Sequence, residues 1–158
     1  MIDGLFGEAM LPVAELSDIS KCVHSTRGYA PFKLSHYLAS WAGTPRDLPE
    51  WPLKNKGVVE WDKQVLHRWC VQPWQDFEKL GTQIFVGEWG CWNRTPHPVT
   101  LAWMRDFLSL WKQAGWGWAL WCFRGSFGIL DSHRKDVKYE RWRGHLLDRR
   151  MLELLREF

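Results

Sequence analysis

Glu88 is the residue of this sequence best placed to do chemistry. It follows Ile84, Phe85 and Val86, an apolar run that reads as a short buried strand, and Gly87 and Gly90 flank it. A carboxylate at a strand end between two glycines can point into a cleft while the backbone turns closely beneath it. Trp89 and Trp92 stand beside it. Aromatic faces next to a carboxylate suit a sugar ring, whose apolar C–H face stacks on the indole while its hydroxyls seek polar partners. A solvated or salt-bridged glutamate at the start of a loop is the other reading of these residues, and position alone leaves both open.

Trp121 lies in the run WGWALWCF, where alternation puts Gly117, Ala119 and Trp121 on one face and Trp116, Trp118 and Leu120 on the other. A tryptophan near the C-terminal end of a strand could be a sugar platform, and packing against helices is the competing role. Arg27, Tyr29 and His36 fall together in a long segment rich in Gly, Pro and aromatics. Arg27 could hydrogen-bond a carboxylate or sugar hydroxyls, Tyr29 could orient a carboxylate through its hydroxyl, and His36 could donate to a ligand. Structural roles compete at each of the three. His97, between two prolines, reads as a loop residue rather than a base. The mixed-sign run Arg134–Arg143 reads as a solvated loop.

The elements that must position these groups alternate. Lys21–Thr26 suggests a brief strand, and the loop after it spans about 26 positions, a length usually reserved for function. Residues 1–20 have little periodicity and read as loop with at most one helical turn. Trp61–Leu80 reads as helical with Leu66, Trp69, Phe77 and Leu80 on one face, kinked or split by Pro73. The strand leading to Glu88 follows. Next is the clearest helix, with Thr100 as N-cap, a stripe of Met104, Phe107, Leu108 and Trp111, and Gly115 at its end. A buried strand through WGWALWCF, a long polar loop and a last helix with Leu147, Met151, Leu154, Leu155 and Phe158 complete the chain. Buried strands alternating with amphipathic helices predict an α/β fold with a parallel sheet, whose working residues gather at the C-terminal strand ends.

The net charge of +3 on 158 residues argues against nucleic acid as a partner. No apolar run reaches the ~20 residues of a membrane span, and the N-terminus lacks a basic region followed by an apolar core. Four widely separated cysteines read as buried free thiols. Phosphate-binding, dinucleotide-binding, zinc-protease and serine-esterase motifs are absent from the sequence. Three strands make a poor closed unit, whereas an eight-stranded α/β barrel takes about 250 residues.

IFVGEWG, CWNRTPH, the helix after them and WGWALWCFRGSFGILDS together resemble the C-terminal part of a glycoside hydrolase family 5 catalytic domain, the cellulase-like family. STRGYAPFKLSHYLASW resembles the loop after that family's sixth strand. The resemblance runs from about Asp3 to Phe158. It implies the C-terminal three-eighths of a TIM (β/α)8 barrel, about strands six to eight with their helices, in a parent that cleaves β-linked polysaccharide with retention and needs no cofactor. Glu88 matches the nucleophile ending strand seven, and Trp121 matches the strand-eight tryptophan beneath the sugar. Tyr29 matches the tyrosine of an H-x-Y pair, while Arg27 stands where the histidine is usual. His36 resembles a loop histidine of many members, and Trp89 and Trp92 are further candidates for sugar contact. The acid/base glutamate of strand four has no counterpart in this sequence, so the chain alone is expected to be inactive. The missing half of the barrel is an expected partner. A carbohydrate-binding module and a non-catalytic structural fragment are the alternative readings.

Overall fold

The computed structural model describes residues 1–4, 11–18, 21–43 and 47–158. In chain order the elements are β1 (Ile2–Asp3), a 3-10 turn (Ala14–Leu16), β2 (Val23–Gly28), α1 (Phe32–Ser35), β3 (Leu53–Asn55) and β4 (Val58–Trp61). Then come α2 (Lys63–Leu66), a π-helical turn (His67–Val71), α3 (Gln72–Glu78), β5 (Gln83–Trp89), α4 (His97–Ala114) and β6 (Gly117–Leu120). The hairpin β7 (Glu140–Trp142) and β8 (His145–Leu147) leads to α5 (Arg149–Arg156).

The main sheet has the order β1-β2-β5-β6, and every pairing in it is parallel. Parallel neighbours need crossovers, which the α2–α3 region and α4 provide. Among the described residues β1 and β6 are its edges and no strand joins them, so the topology is that of an α/β barrel left open. The expected three strands are thus four. Ile2 and Asp3 pair with His24 and Ser25, and the Gly4 amide donates to the Ser25 carbonyl at 3.2 Å. Two residues carry no periodicity of their own, and their strand conformation comes from the neighbouring ladder. Parts of the 1–20 stretch and of the long loop after β2, residues 5–10, 19–20 and 44–46, lie outside the described residues.

One face of the sheet carries the core. His24 of β2 meets Phe77 of α3 edge-on at 4.8 Å. Ile84, Val86 and Trp89 of β5 lie in the same buried cluster as Leu66, Trp74, Trp103, Phe107, Trp111 and Met151. Trp111 is a core residue as the helical stripe requires, and Trp103 joins it there, each at most 1% exposed. The other face carries Arg27, Phe85, Glu88, Gly117 and Ala119 and is only partly covered.

Of the stretch Trp61–Leu80 expected to be helical, Lys63–Glu78 is continuously so, while Trp61 ends β4, and Pro73 explains the form the helix takes. Proline has no amide hydrogen and its ring crowds the carbonyl of the preceding turn. The chain answers by widening to a π turn just before it, where the Gln72 amide reaches back to the His67 carbonyl. The extra residue rotates the face: Cys70, Val71, Trp74 and Phe77 are buried, whereas Trp69 and Leu80, expected on the packed side, are 56% and 60% exposed. Asp62 caps α2, its Oδ1 accepting from Val65 N at 2.8 Å.

Three further expectations are corrected. α4 begins at His97 rather than after Thr100, because the Asp136 carboxylate, 39 residues away, accepts from the His97 amide at 2.6 Å. Thr100 is buried inside the helix. The loop before α5 contains the β7–β8 hairpin, and its Arg134 is buried rather than solvated. His97 is buried too, with Nε2 2.8 Å from Asp148 Oδ2, while Asp148 Oδ1 caps α5 through Met151 N at 3.0 Å. Gly115 ends α4 with φ 76°, as a left-handed C-terminal residue should. None of the four cysteines is in a disulfide; Cys70 and Cys91 are buried, Cys22 and Cys122 partly so.

Candidate active site

Strict alternation along β5 would put Ile84, Val86 and Glu88 on the same face, which is the core face. A carboxylate there would be buried among tryptophans. The ladder with β2 prevents this: Thr26 pairs with Val86, but the next residue, Arg27, pairs with Glu88. Gly87 is the extra residue of a β-bulge, and it moves Glu88 to the open face while Trp89 returns to the core. Gly87 also lies against Ser25, so that a β-carbon there would come within 2.3 Å of Ser25 Oγ.

On the open face Tyr29 donates its hydroxyl to Glu88 Oε1 at 2.5 Å. Tyr29 is two residues beyond Arg27, past the end of β2, and its backbone is held from two sides. Ser35 Oγ donates to the Tyr29 carbonyl at 2.5 Å, and Trp103 Nε1 of α4 donates to the Ala30 carbonyl at 2.9 Å. Burial, the hydrogen bond to Glu88 and the carboxylate charge, in that order, push the Tyr29 hydroxyl far above its ordinary value, with Arg27 opposing. The phenol therefore stays protonated and remains a donor to Glu88 throughout the neutral range.

Arg27 reaches across to β1, where its Nη2 lies 3.1 Å from Asp3 Oδ2. His36 is 7% exposed. It stacks on Phe32 at 3.8 Å, lies 5.1 Å from the Tyr29 ring, and has Nδ1 2.9 Å from Ser35 Oγ. Burial lowers its pKa to about 4, so the imidazole is neutral at neutral pH. Since Ser35 gives its only proton to the Tyr29 carbonyl, its lone pair receives the His36 Nδ1 proton, which fixes the tautomer.

Trp121 follows β6, is 53% exposed, and its amide donates to the Trp89 carbonyl at 2.7 Å, which ties the ends of β5 and β6 together. Gly90 permits that approach, because a β-carbon on it would come within 2.2 Å of the Trp121 carbonyl oxygen. Trp92 is half-buried, with its ring edge-on to Trp41 at 4.6 Å and 5.4 Å from Phe127. Trp89 is corrected as a sugar contact. It is wholly buried, with its ring 4.8 Å from that of Trp111 and 5.5 Å from that of Trp118. The bulge that exposes Glu88 is what buries it. The contacts of Trp103 and Asp3 were not legible in the sequence because their partners lie 73 and 24 residues away, and Ser35, six residues from Tyr29, lies in a segment with no periodicity to reveal its contact. Among the described residues no three His, Cys, Asp or Glu side chains converge as a metal site, and no helix is long and apolar enough to cross a membrane.

A solved structure described as that of a glycoside hydrolase shares 43% identity with the chain over 99% of its length, with a TM-score of 0.87. The chain is homologous to that glycoside hydrolase. An endoglucanase structure matches 87% of the chain at 20% identity and TM-score 0.68. Endoglucanase Cel5A from the hyperthermophilic Thermotoga maritima matches 72% at 23% identity and TM-score 0.60. At those identities the last two bear on the fold alone. The chain spans less than half of each of these structures, 46%, 40% and 35% of their lengths. No protein-family model and no curated protein matches the chain.

Proposed function

We propose that this chain is the nucleophile-bearing part of a retaining glycoside hydrolase acting on β-linked polysaccharide. The observation that carries the reading is the Tyr29 hydroxyl 2.5 Å from Glu88 Oε1, at the C-terminal ends of neighbouring parallel strands. The four strands correspond to the last half of an eight-stranded barrel, one strand more than the sequence implied. The remaining strands would cover the open sheet face and its two edges, which a stable α/β protein does not leave bare.

In the closed barrel an oxygen of the Glu88 carboxylate attacks the anomeric carbon. A carbon–oxygen bond to Glu88 forms as the glycosidic bond breaks, and a second carboxylic acid, from the other half, protonates the departing oxygen. That group, now a carboxylate, takes a proton from water. The water oxygen attacks the same carbon, and Glu88 leaves as carboxylate. Tyr29 holds one Glu88 oxygen by its hydrogen bond, leaving the other to attack. Trp121 offers an exposed indole to the sugar's apolar face, Trp92 extends that surface, and Arg27 and His36 line its border. No step requires a metal or an organic cofactor.

The test is trapping. A 2-deoxy-2-fluoro glycosyl fluoride incubated with the assembled barrel should add its mass to the peptide containing Glu88, and Glu88→Gln should abolish labelling. The chain alone should release no reducing sugar, because a single carboxylate cannot supply both roles. Release by the isolated chain, lost in Glu88→Gln, would require a different acid/base within it and overturn the division of labour.

A further inference from the structure

The positive charge of the chain is concentrated in one segment. Residues 124–150 hold eight Lys and Arg against four Asp and Glu, an excess larger than the +3 of the whole chain. Every carboxylate of that segment is held by the protein itself. Asp131 accepts from Arg124 Nε at 2.7 Å and from the Leu146 amide at 2.9 Å, and His145 Nδ1 lies 2.8 Å from it. Glu140 takes two bonds of 2.7 Å from Arg149. Asp136 accepts the His97 amide, and Asp148 faces His97 and caps α5. Among the described residues no ion pair neutralises Lys138, Arg141 or Arg143, all exposed on or beside the β7–β8 hairpin.

The tip of the hairpin adds an aromatic surface to this charge. Trp142 is 39% exposed, and among the described residues it belongs neither to the buried cluster nor to the side chains packed against it. The Arg143 guanidinium lies over its ring, 5.1 Å from the centroid. Arg143 and Gly144 form the two-residue turn, both at positive φ, 49° and 83°. The first position of such a turn ordinarily goes to Asn, Asp or Gly, so arginine stands there against the preference of the backbone. The hairpin is also built on the loop that leaves the site. Leu130 bridges to both Arg124 and Leu147, and Phe127 of the same loop lies 6.4 Å from the Tyr29 ring and 5.4 Å from that of His36.

We propose that the β7–β8 hairpin is a binding site for acidic polysaccharide, in addition to the cleft in which Glu88 acts. The exposed part of the indole receives the apolar C–H face of a sugar ring. The guanidinium beside it takes that sugar's carboxylate through paired N–H groups. Arg141 and Lys138 add attraction for neighbouring acidic sugars of the same polymer. A neutral glucan offers the stacking alone and binds here more weakly. The choice of a sugar polymer over other anions rests on the polysaccharide reading of the chain; the uncompensated charge and the exposed ring do not.

The test is affinity electrophoresis of the assembled barrel, carrying Glu88→Gln to prevent cleavage, in gels containing carboxymethylcellulose or the neutral hydroxyethylcellulose. Mobilities are taken relative to polymer-free gels. Both polymers can occupy the cleft, so the hairpin is read from the difference between them. The carboxylated polymer should bind ~10-fold more tightly, the size of one charge-assisted contact. Arg143→Asn, which the turn accepts better than arginine, should remove most of that difference and leave neutral binding unchanged. Trp142→Ala should remove most of it too, and if that variant does not assemble, Arg143→Asn decides alone. The control is Lys56→Asn, which takes the same charge from the matching turn position of the β3–β4 hairpin, also at φ 49°, and should leave the difference intact. Equal binding of the two polymers by the parent, or an equal loss in Lys56→Asn and Arg143→Asn, overturns the proposal. So does retention by polyacrylate, which has carboxylates but no rings, as strong as that by carboxymethylcellulose. No glycosyl transfer takes place in the assay, so failure of the trapping experiment leaves its result intact.

Discussion

Tyr29 and Glu88 are 59 residues apart in sequence and 2.5 Å apart at their oxygen atoms. The contact is short, part-buried and made to a carboxylate, so it belongs to the stronger class of hydrogen bonds, worth about 1.5–3 kcal/mol. Tyr29→Phe keeps the ring against His36 and Phe127 and removes only the donor. Turnover by the assembled barrel should fall by ~10–100-fold, the rate equivalent of that energy. KM should change little, since the bond fixes the nucleophile rather than the sugar. Steady-state kinetics on the variant, with circular dichroism to confirm an unchanged fold, measures this. A loss confined to KM would place Tyr29 in substrate binding instead.

Gly87 decides which way Glu88 points, and it does so with no side chain of its own. Gly87→Ala would press a methyl group toward Ser25 Oγ, 2.3 Å from the ideal β-carbon position, and Ser25 is only 2% exposed. Ser25 must turn or the bulge must relax. Overpacking of this kind typically costs about 1–3 kcal/mol. The urea midpoint should drop accordingly. Adding Ser25→Gly to Gly87→Ala should recover more than half of the loss, because it removes the atom that is struck.

The same bulge marks where the sequence ceased to be readable. Elements written in contiguous residues were legible: the apolar stripe of α4, the glycine that ends it, the alternation in β6 and the strand running to Glu88. What depended on distant partners was not. Ile2 and Asp3 are a strand only because β2 lies beside them, and α4 starts early only because Asp136 reaches its first amide. The hairpin β3–β4 pairs Leu53 with Trp61 around Lys56 and Gly57, both at positive φ, and its strands are too short to show a period. At the site, Tyr29 and Glu88 could each be named as candidates, but their meeting could not, since nothing local ties residue 29 to residue 88. Trp89 looked like a partner of Glu88 because it is next in sequence. Strand alternation already puts them on opposite faces of the sheet, and the one-residue bulge decides that Glu88 takes the open face and Trp89 the core.

His36 gives the fold a pH dependence with a definite sign. Its folded pKa is lowered from 6.5 to about 4 by burial. Between those values the unfolded chain binds a proton that the folded chain refuses, so acid favours unfolding. Stability from this residue is full above about pH 6.5, declines as pH falls toward 4, and levels off below that. The total loss is about 3 kcal/mol. His36→Gln, which keeps a polar group near Ser35 and cannot titrate, should remove most of this decline. Urea midpoints of parent and variant at about pH 7 and about pH 4.5 test it: the parent should lose more stability than the variant across the interval.

Arg134 holds the loop that follows Glu88, although the sequence places it in a run of charges that looks fully hydrated. Its guanidinium is 2% exposed and donates to three acceptors: the Thr95 carbonyl at 2.8 Å, the Cys91 carbonyl at 2.6 Å and Thr100 Oγ1 at 3.2 Å. Cys91 and Thr95 bracket Trp92, so the planar fork sets the path of the chain from the end of β5 into α4. Arg134→Met fills much of the same volume but leaves buried carbonyls without a donor, at a cost of about 2–4 kcal/mol. Arg134→Lys restores a charge but not the fixed planar geometry, and one ammonium cannot span acceptors on both sides of the loop. The lysine variant should therefore recover less than half of the midpoint lost in Arg134→Met. Full recovery would mean that charge alone, rather than the shape of the guanidinium, holds this loop in place.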